Sequence, residues 1–316
     1  MSGFLAEIGK QLAQRWATVL VLPGLVFLTI AVAGHVLGQA HFYDIALLLH
    51  SAKQLAAQFD GRAVTAVLTV AGIALCAAAV ALFAQGLGTA ARSLWLVDRL
   101  PGPFDAVVRH IVKERREDWQ DADKAYRDYQ KLPAPAPGAG GDNNADAERN
   151  EQLAELADKR NRIALAPPVR PTWIGDRIAA VYSRVHNQYA LSLDFAWPRL
   201  WLILPDLVRT EVKDARDSFD RAAFLQGWGL LYMVLGIEWW PAAAAGLFIV
   251  VLAWRKGRAS MDTLADLIES AFDLYASALV ASLGFEKATS PDTGAWQTIP
   301  DTNNWATVDE WMRKAS

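Results

Sequence analysis

The chain has 316 residues, of which 53% are hydrophobic, and 13 of them are tryptophan. Soluble proteins rarely use so much tryptophan, whereas membrane proteins place Trp at the two boundaries between water and lipid. The formal net charge of −3 excludes a strong overall attraction to nucleic acid, and the single cysteine, Cys76, excludes an internal disulfide and a cysteine-based zinc site. We therefore predict an all-α integral membrane protein with four transmembrane helices and a helical cytoplasmic domain.

The first predicted span covers residues 16–38 and contains no Asp, Glu, Lys or Arg. At 1.5 Å of rise per residue, such a helix crosses a hydrocarbon core of about 30 Å. We expect Pro23 to kink it, because proline removes a backbone donor. Residues 1–15 have the pattern of an amphipathic helix, and residues 39–62 are predicted to form an extracytoplasmic loop. The hydrophobic run lacks a clean cleavage site, so we interpret it as a retained span rather than a signal peptide.

The second predicted span, residues 63–88, consists mostly of Ala, Val, Leu and Gly. A cytoplasmic helical region is predicted for residues 89–221. Within it, residues 132–146 (LPAPAPGAGGDNNAD) are rich in Pro, Gly and Ala, which predicts a disordered linker. The charged segments 105–131 and 147–164 on either side of the linker are predicted to form a helical hairpin.

An aromatic segment, residues 191–204, follows in the same region. It is too short for a confident span, so we interpret it as a buried or interfacial segment. One hypothesis is that it forms an elbow that couples cytoplasmic movement to the third span, and the plainer alternative is an elbow that only packs beneath the spans. The candidate elbow residues are Trp197, Pro198, Arg199 and Trp201.

The third and fourth spans are predicted at residues 222–237 and 239–254, with a tryptophan-containing turn between them. Residues 255–316 are predicted to form a cytoplasmic C-terminal helix, capped by Ser260, and a tail. Lys and Arg near the spans concentrate on one side, so the positive-inside rule places both termini in the cytoplasm. The predicted location is the inner (plasma) membrane, which the chain crosses several times.

Sequence motifs for catalysis or ligand binding are lacking. There is no GxxxxGK[ST], GxSxG or HExxH pattern, and the histidines show no ligand spacing. We therefore predict no catalytic residue, no cofactor, no metal and no enzymatic activity. Arg115 and Arg116 are followed by Glu117 and Asp118, so we predict no nucleic-acid partner.

Small residues dominate the predicted spans and favour close contact between helices. They predict homo-oligomers, and the alternative is packing inside one protomer. The candidate packing residues are Gly34, Gly38, Gly72, Ala74 and Ala78. Two pairs, Gly86 with Gly88 and Gly227 with Gly229, are likewise interpreted as close-packing positions rather than nucleotide-binding ones.

Two functions of different classes are consistent with these patterns. The first is a self-associating pore-forming or membrane-perturbing effector that is gated through its cytoplasmic helices, with Gln85 and Gln226 as candidate pore-lining residues. Snorkelling at the membrane interface is the alternative role for these two glutamines. The second function is a membrane anchor or scaffold that docks a cytoplasmic partner protein.

An acidic stripe also follows the fourth span. It could face solvent or a basic partner such as the run from Arg109 to Arg116. Its members are Asp262, Asp266, Glu269 and Asp273.

Overall fold

The computed structural model describes residues 21–40, 43–57, 63–102, 104–132, 143–283 and 302–314. These residues form helices and no strand, which confirms the predicted all-α class for this part of the chain. The predicted amphipathic helix at residues 1–15 and most of the predicted linker lie outside the described residues. In chain order, the helices are α1 (Leu22–Leu37), α2 (Ile45–Ala57), α3 (Ala63–Trp95), α4 (Phe104–Gln130), α5 (Asn143–Ile163), α6 (Trp173–Tyr189), α7 (Leu193–Ile203), α8 (Asp206–Leu235), α9 (Trp240–Ser282) and α10 (Thr302–Lys314).

One helix among the described residues is long and apolar enough to cross a membrane. It is the part of α3 from Val67 to Trp95, which has 29 residues and a mean hydropathy of 2.5 in its most apolar window. Only 22% of that window is buried inside the protein. The helix α1 is also apolar but shorter. The predicted third and fourth spans lie inside α8 and α9, and each of these two helices also contains a highly charged half.

The chain divides into two compact units. Unit 1 consists of Met1–Ser93 and Asp220–Gly257, and unit 2 consists of Leu94–Phe219 and Arg258–Ser316. Both α8 and α9 contribute residues to each unit.

Small residues hold the helices of unit 1 together. Within unit 1, one row of buried positions on α3 recurs at separations of alternately four and three residues, as in a coiled-coil seam, and this row is occupied by small side chains. A Cβ atom on Gly227 of α8 would lie only 2.1 Å from the carbonyl oxygen of Ala84, so the backbones of α3 and α8 touch at this point. The buried residues of the α3 seam are Ala77, Ala81, Ala84, Gly88 and Ala91.

The outer surface of unit 1 carries large apolar side chains. On α3 alone, the exposed fraction is 68% for Val67, 70% for Leu75 and 62% for Phe83. Phe248 and Val251 on α9 are large apolar side chains that are exposed as well. Soluble proteins bury such residues preferentially. In unit 1 a small core that includes Trp228 and Leu231 is buried, but many other large apolar side chains are exposed.

Unit 2 has a conventional hydrophobic core with large side chains inside. It is formed by α6, α7, α9 and α10, and its central residues include Val181, Leu200, Phe272 and Met312. Each of these side chains is fully buried. The core therefore depends on the C-terminal helix α10 as well as on the longer helices.

Two local predictions differ from the structure. The helix α9 continues without a break from the predicted fourth span to Ser282, so the prediction of a new helix capped by Ser260 is wrong. The Ser260 side chain instead lies 3.2 Å from the hydroxyl of Ser218 on α8. The helix α5 begins at Asn143, inside the predicted linker. The kink expected at Pro23 concerns the turn that precedes it, most of which lies outside the described residues.

Candidate coupling site between α6 and α9

A buried arginine on α6 contacts three carboxylates on α9. The side chain of Arg177 is only 5% exposed, and its Nε lies 2.8 Å from Asp262. Its two terminal nitrogens lie 2.5 Å from Asp266 and 2.7 Å from Glu269. The three acids are spaced four and three residues apart, which places them on one face of the helix.

A second arginine extends this contact two turns further along α6. Arg184 forms ion pairs with Glu269 and Asp273, the latter at 3.1 Å. The hydroxyl of Tyr189, at the end of α6, donates to Asp273 at 2.6 Å. We call the two arginines and the four acids of α9 (Asp262, Asp266, Glu269 and Asp273) the ion ladder.

The charges of the ion ladder stabilise each other. Burial would lower the pKa of Arg177, but its hydrogen bonds and charge interactions with Glu269 and Asp262 outweigh burial, so this pKa lies above its ordinary value. Burial also raises the pKa of the Tyr189 hydroxyl, and its hydrogen bond to Asp273 raises it further. Since one guanidinium is shared by three acids on successive turns, sliding α9 along α6 would break several bonds at once. The ladder therefore fixes the register of the two helices.

The acidic stripe noticed in the sequence is thus paired, but with different residues from those expected. Its partners are on α6, whereas Arg115 of the basic run binds Asp176 at 2.7 Å. Arg116 donates instead to the carbonyl oxygen of Pro168 at 3.0 Å. The sequence signal for the true partners is the seven-residue separation of Arg177 and Arg184, which places both on one helix face.

The candidate elbow residues lie on α7 beside the core of unit 2. The ring of Trp197 lies 5.8 Å from that of Trp201 and 6.3 Å from that of Phe272 on α9. Arg199 donates to the carbonyl oxygen of Phe195 at 2.8 Å, and Pro198 lies within the helix. Nζ of Lys213 lies 5.9 Å from the centre of the Trp201 ring.

The helix α10 is attached to the beginning of α7 by a buried acid. Asp309 accepts a hydrogen bond from the backbone N–H of Ser192 at 2.7 Å and one from Nε of Arg313 at 2.7 Å. Ser192 is the N-cap residue of α7, and its own side chain makes no capping bond. Asp309 therefore satisfies a backbone donor at this helix start from a distant part of the sequence. Sequence reasoning did not identify this role.

Two of the five predicted packing residues, Gly34 and Ala78, pack inside the protomer. A Cβ on Gly34 would lie 3.0 Å from the Cβ of Trp239, and Ala78 is buried, so both pack inside the protomer. Gly38 ends α1 with φ of +60°, and a Cβ on Gly72 would meet no atom of the described residues within 4 Å. Ala74 is half-buried.

The sequence-based interpretation of the paired glycines as close-packing positions holds for three of the four. A Cβ on Gly88 would lie 2.8 Å from the oxygen of Ala223, and one on Gly229 would lie 2.8 Å from a methyl group of Val250. Gly227 contacts α3 in the same way, as described above. Gly86 is different, since in the part of the chain that the structure describes no atom lies within 4 Å of its Cβ position.

The candidate pore-lining residues are both half-buried in unit 1. Oε1 of Gln226 is buried and has no hydrogen-bond partner among the described residues. In the same part of the chain, no group of three or more His, Cys, Asp or Glu residues could hold a metal ion.

No protein-family model, no curated protein and no solved structure matches this chain. Its function must therefore be argued from the arrangement of its own residues.

Proposed function

We propose that the chain is an integral membrane protein with four spanning helices, formed by α1, α3, the second half of α8 and the first part of α9. The observation that carries this proposal is the distribution of residues in unit 1, where Ala and Gly fill most buried positions, beside Trp228 and Leu231, and the outer surface carries many exposed Leu, Val, Ile and Phe side chains. In lipid, large apolar side chains gain no hydrophobic free energy from burial inside the protein, whereas small residues allow helix backbones to approach and pack. This pattern favours lipid around unit 1.

The spans in α8 and α9 are short, at residues 222–237 and 239–254. Flanking side chains and a locally thinner bilayer can compensate for such a mismatch. The turn between the spans carries Trp239 and Trp240, a residue type that favours the membrane boundary. Both termini and unit 2 are assigned to the cytoplasm by the positive-inside rule.

Within this architecture, we assign the chain a non-enzymatic role as a membrane anchor whose unit 2 docks a cytoplasmic protein. Two observations support an anchor. The backbones of α3 and α8 are in direct contact at Ala84 and Gly227, and such close packing makes the rigid helix bundle that an anchor needs. Unit 2 has a core of its own and a helix register fixed by the ion ladder, so it offers a rigid surface to a partner.

The membrane architecture is tested by labelling single cysteines in intact cells. In a Cys76→Ala background, a membrane-impermeant maleimide should label Lys53→Cys from outside and should label Lys113→Cys only after the cells are opened. Both positions are exposed in the folded chain, so burial does not complicate the comparison. Labelling of Lys113→Cys in intact cells, or a chain that stays soluble without detergent, would contradict the proposal.

The docking role is tested by purifying the full-length chain from its native membranes. A stoichiometric soluble partner should copurify with the wild type and be lost when unit 2 is destabilised by Arg177→Ala. A partner retained equally by both chains, or bound only to the spans, would argue against docking on unit 2.

Self-association into a pore is a second candidate, and the exposure of the first half of α3 favours it. Val67, Leu68 and Val70 are each more than two-thirds exposed, and no described residue approaches the Cβ position of Gly72 beside them within 4 Å. A second copy could pack there, and Gln85 and Gln226 would then be candidates to line a passage in a ring of copies. Native mass spectrometry in lipid discs and conductance recordings test this idea. A ring of several copies that conducts ions would support it, and a monomer would contradict it.

A further inference from the structure

The first two turns of α4 carry an exposed apolar stripe. Phe104 is 65% exposed, Val107 is 55% exposed and Ile111 is 38% exposed. Their separations of three and four residues place them along one side of the helix. The neighbouring Val108 is buried, so the stripe borders the packed face of α4 without being covered by it. We call these three residues the α4 stripe.

Hydrogen bonds within unit 2 hold α4 close to the point where the apolar helix α3 ends. The hydroxyl of Thr172 donates to the carbonyl oxygen of Trp95, and the Arg170 side chain donates to that of Leu96 at 2.8 Å. The same loop also binds α4, because Arg116 donates to the oxygen of Pro168. The α4 stripe therefore belongs to a structure that is tied to the end of the apolar helix.

The opposite side of α4 is polar, and its net charge is close to zero. Arg109 pairs with Asp105 at 3.0 Å, and the more weakly held Lys113 lies 3.8 Å from Glu117. The side chains of these two cations are about three-quarters exposed, as expected for the water side of an amphipathic helix. Since the charges are balanced, apolar contact rather than attraction to anionic groups decides what the helix binds.

The size of the stripe distinguishes between two kinds of occupant. Residues 104–111 span only about 10 Å of helix. A stable protein interface buries about 800 Å² on each partner, which is far more than three side chains on two turns supply. An interfacial helix that is already tethered by a span needs no such area, because it only has to place its apolar side chains below the headgroups.

We propose that the first two turns of α4 lie in the headgroup region of the cytoplasmic leaflet, with Phe104, Val107 and Ile111 directed toward the acyl chains. This inference rests on the membrane placement of the chain proposed above. It adds a second mode of lipid contact, in which unit 2 touches the bilayer through α4. The ligand is the apolar upper part of a phospholipid leaflet, and no anionic lipid is required.

The test places a polarity-sensitive fluorophore on single cysteines of the full-length chain. Val107→Cys probes the stripe and Lys113→Cys probes the opposite side of the same helix, both in a Cys76→Ala background and in phosphatidylcholine discs. The dye at position 107 should emit at shorter wavelength, and lipids with a quencher high on the acyl chain should quench it at least about twofold more than the dye at position 113. Iodide in the water should show the opposite preference.

Each remaining outcome overturns the proposal in a recognisable way. Equal iodide quenching at positions 107 and 113 would show that the stripe faces water. A blue-shifted dye at position 107 that lipid quenchers do not reach would show that protein covers the stripe. Leu75→Cys in α3 separates this inference from the membrane placement. If lipid quenches the dye at position 75 but not at position 107, only the α4 inference is overturned. If lipid quenches the dye at neither position, the membrane placement is overturned as well.

Discussion

Arg177 and Glu269 form an ion pair at 2.7 Å in which both side chains are shielded from water, the arginine at 5% exposure and the glutamate at 11%. The pair joins α6 to α9 at a distance of 92 residues along the chain. Asp266 also binds this guanidinium, but its own side chain is 67% exposed. The contributions of the acids should therefore differ, even though all contact the same group.

Replacing Arg177 with alanine should destabilise unit 2 by roughly 2–4 kcal/mol, because the Glu269 carboxylate stays buried after losing a partner. Asp266→Asn is the matched control. It should change stability by no more than about 0.5 kcal/mol, since water solvates that carboxylate. Thermal unfolding of the full-length chain in detergent measures both effects, and equal losses for the two variants would contradict this account.

Adding a methyl group at Gly227 should disrupt unit 1. The new Cβ would lie 2.1 Å from the backbone oxygen of Ala84, and backbone atoms cannot move aside as a flexible side chain can. We expect Gly227→Ala to cost at least about 2 kcal/mol by overpacking.

Gly86→Ala serves as the control for this effect. It lies on the same helix as Ala84, but its Cβ position has no atom within 4 Å among the residues that the structure describes. We expect it to be neutral or to gain up to about 1 kcal/mol from helix propensity. The yield of monodisperse protein and the melting temperature in detergent compare the two variants, and comparable behaviour would mean that the α3–α8 contact is looser than described.

The sequence predicts the helical class because the 3.6-residue periodicity of charged and apolar residues is a local property. It also identifies Gly88, Gly227 and Gly229 as packing positions, since small residues within apolar helices have few other uses. The continuity of α9 through Ser260 was missed, because a serine that follows basic residues has the same local pattern in a helix cap as in a helix interior.

The sites in unit 2 were harder to predict because they depend on contacts between distant residues. The acidic stripe on α9 is visible in the sequence, but Arg177 and the basic run are equally plausible partners until the fold brings one of them close. Asp309 gives no local signal at all, since the backbone donor that it satisfies lies 117 residues earlier.

Removing the Asp309 carboxylate should loosen α10. Asp309→Ala leaves the N–H of Ser192 without its acceptor, and losing such a capping bond typically costs about 0.5–2 kcal/mol. Amide hydrogen exchange in residues 302–314 should become faster. Exchange should not change in α4 and α5, which pack against each other as the predicted hairpin. Asp309→Asn should give an intermediate result, because its amide oxygen can still accept from Ser192 but no longer pairs ionically with Arg313. Unchanged exchange in α10 after Asp309→Ala would show that Val308 and Met312 suffice to dock the helix.

The contact between α4 and α5 should weaken in acid because of Asp123. Burial would raise the pKa of this carboxyl group, but hydrogen bonds and charge interactions with Arg127 and Arg160 outweigh burial and lower the pKa below its ordinary value. The Arg160 bond is 3.1 Å long. A lowered pKa in the folded state means that Asp123 stabilises the hairpin fully above its unfolded pKa of about 3.9 and loses this effect as the pH falls through the folded value.

Hydrogen exchange in α4 and α5, measured from pH 6 down to about pH 3 and corrected for the intrinsic pH dependence of exchange, tests this expectation through differences between variants. Asp123→Asn should exchange faster than wild type at pH 6. The difference in exchange rate should begin to narrow as the pH falls below about 3.9, because the carboxyl group of the opened hairpin then takes up a proton that the folded one resists. Asp128→Asn provides the control, because Asp128 lies 3.8 Å from Lys131 and its side chain is 58% exposed. It should follow the wild type throughout. A gap between Asp123→Asn and wild type that stays constant with pH would show that the shape of the aspartate, rather than its charge, holds α5 against α4.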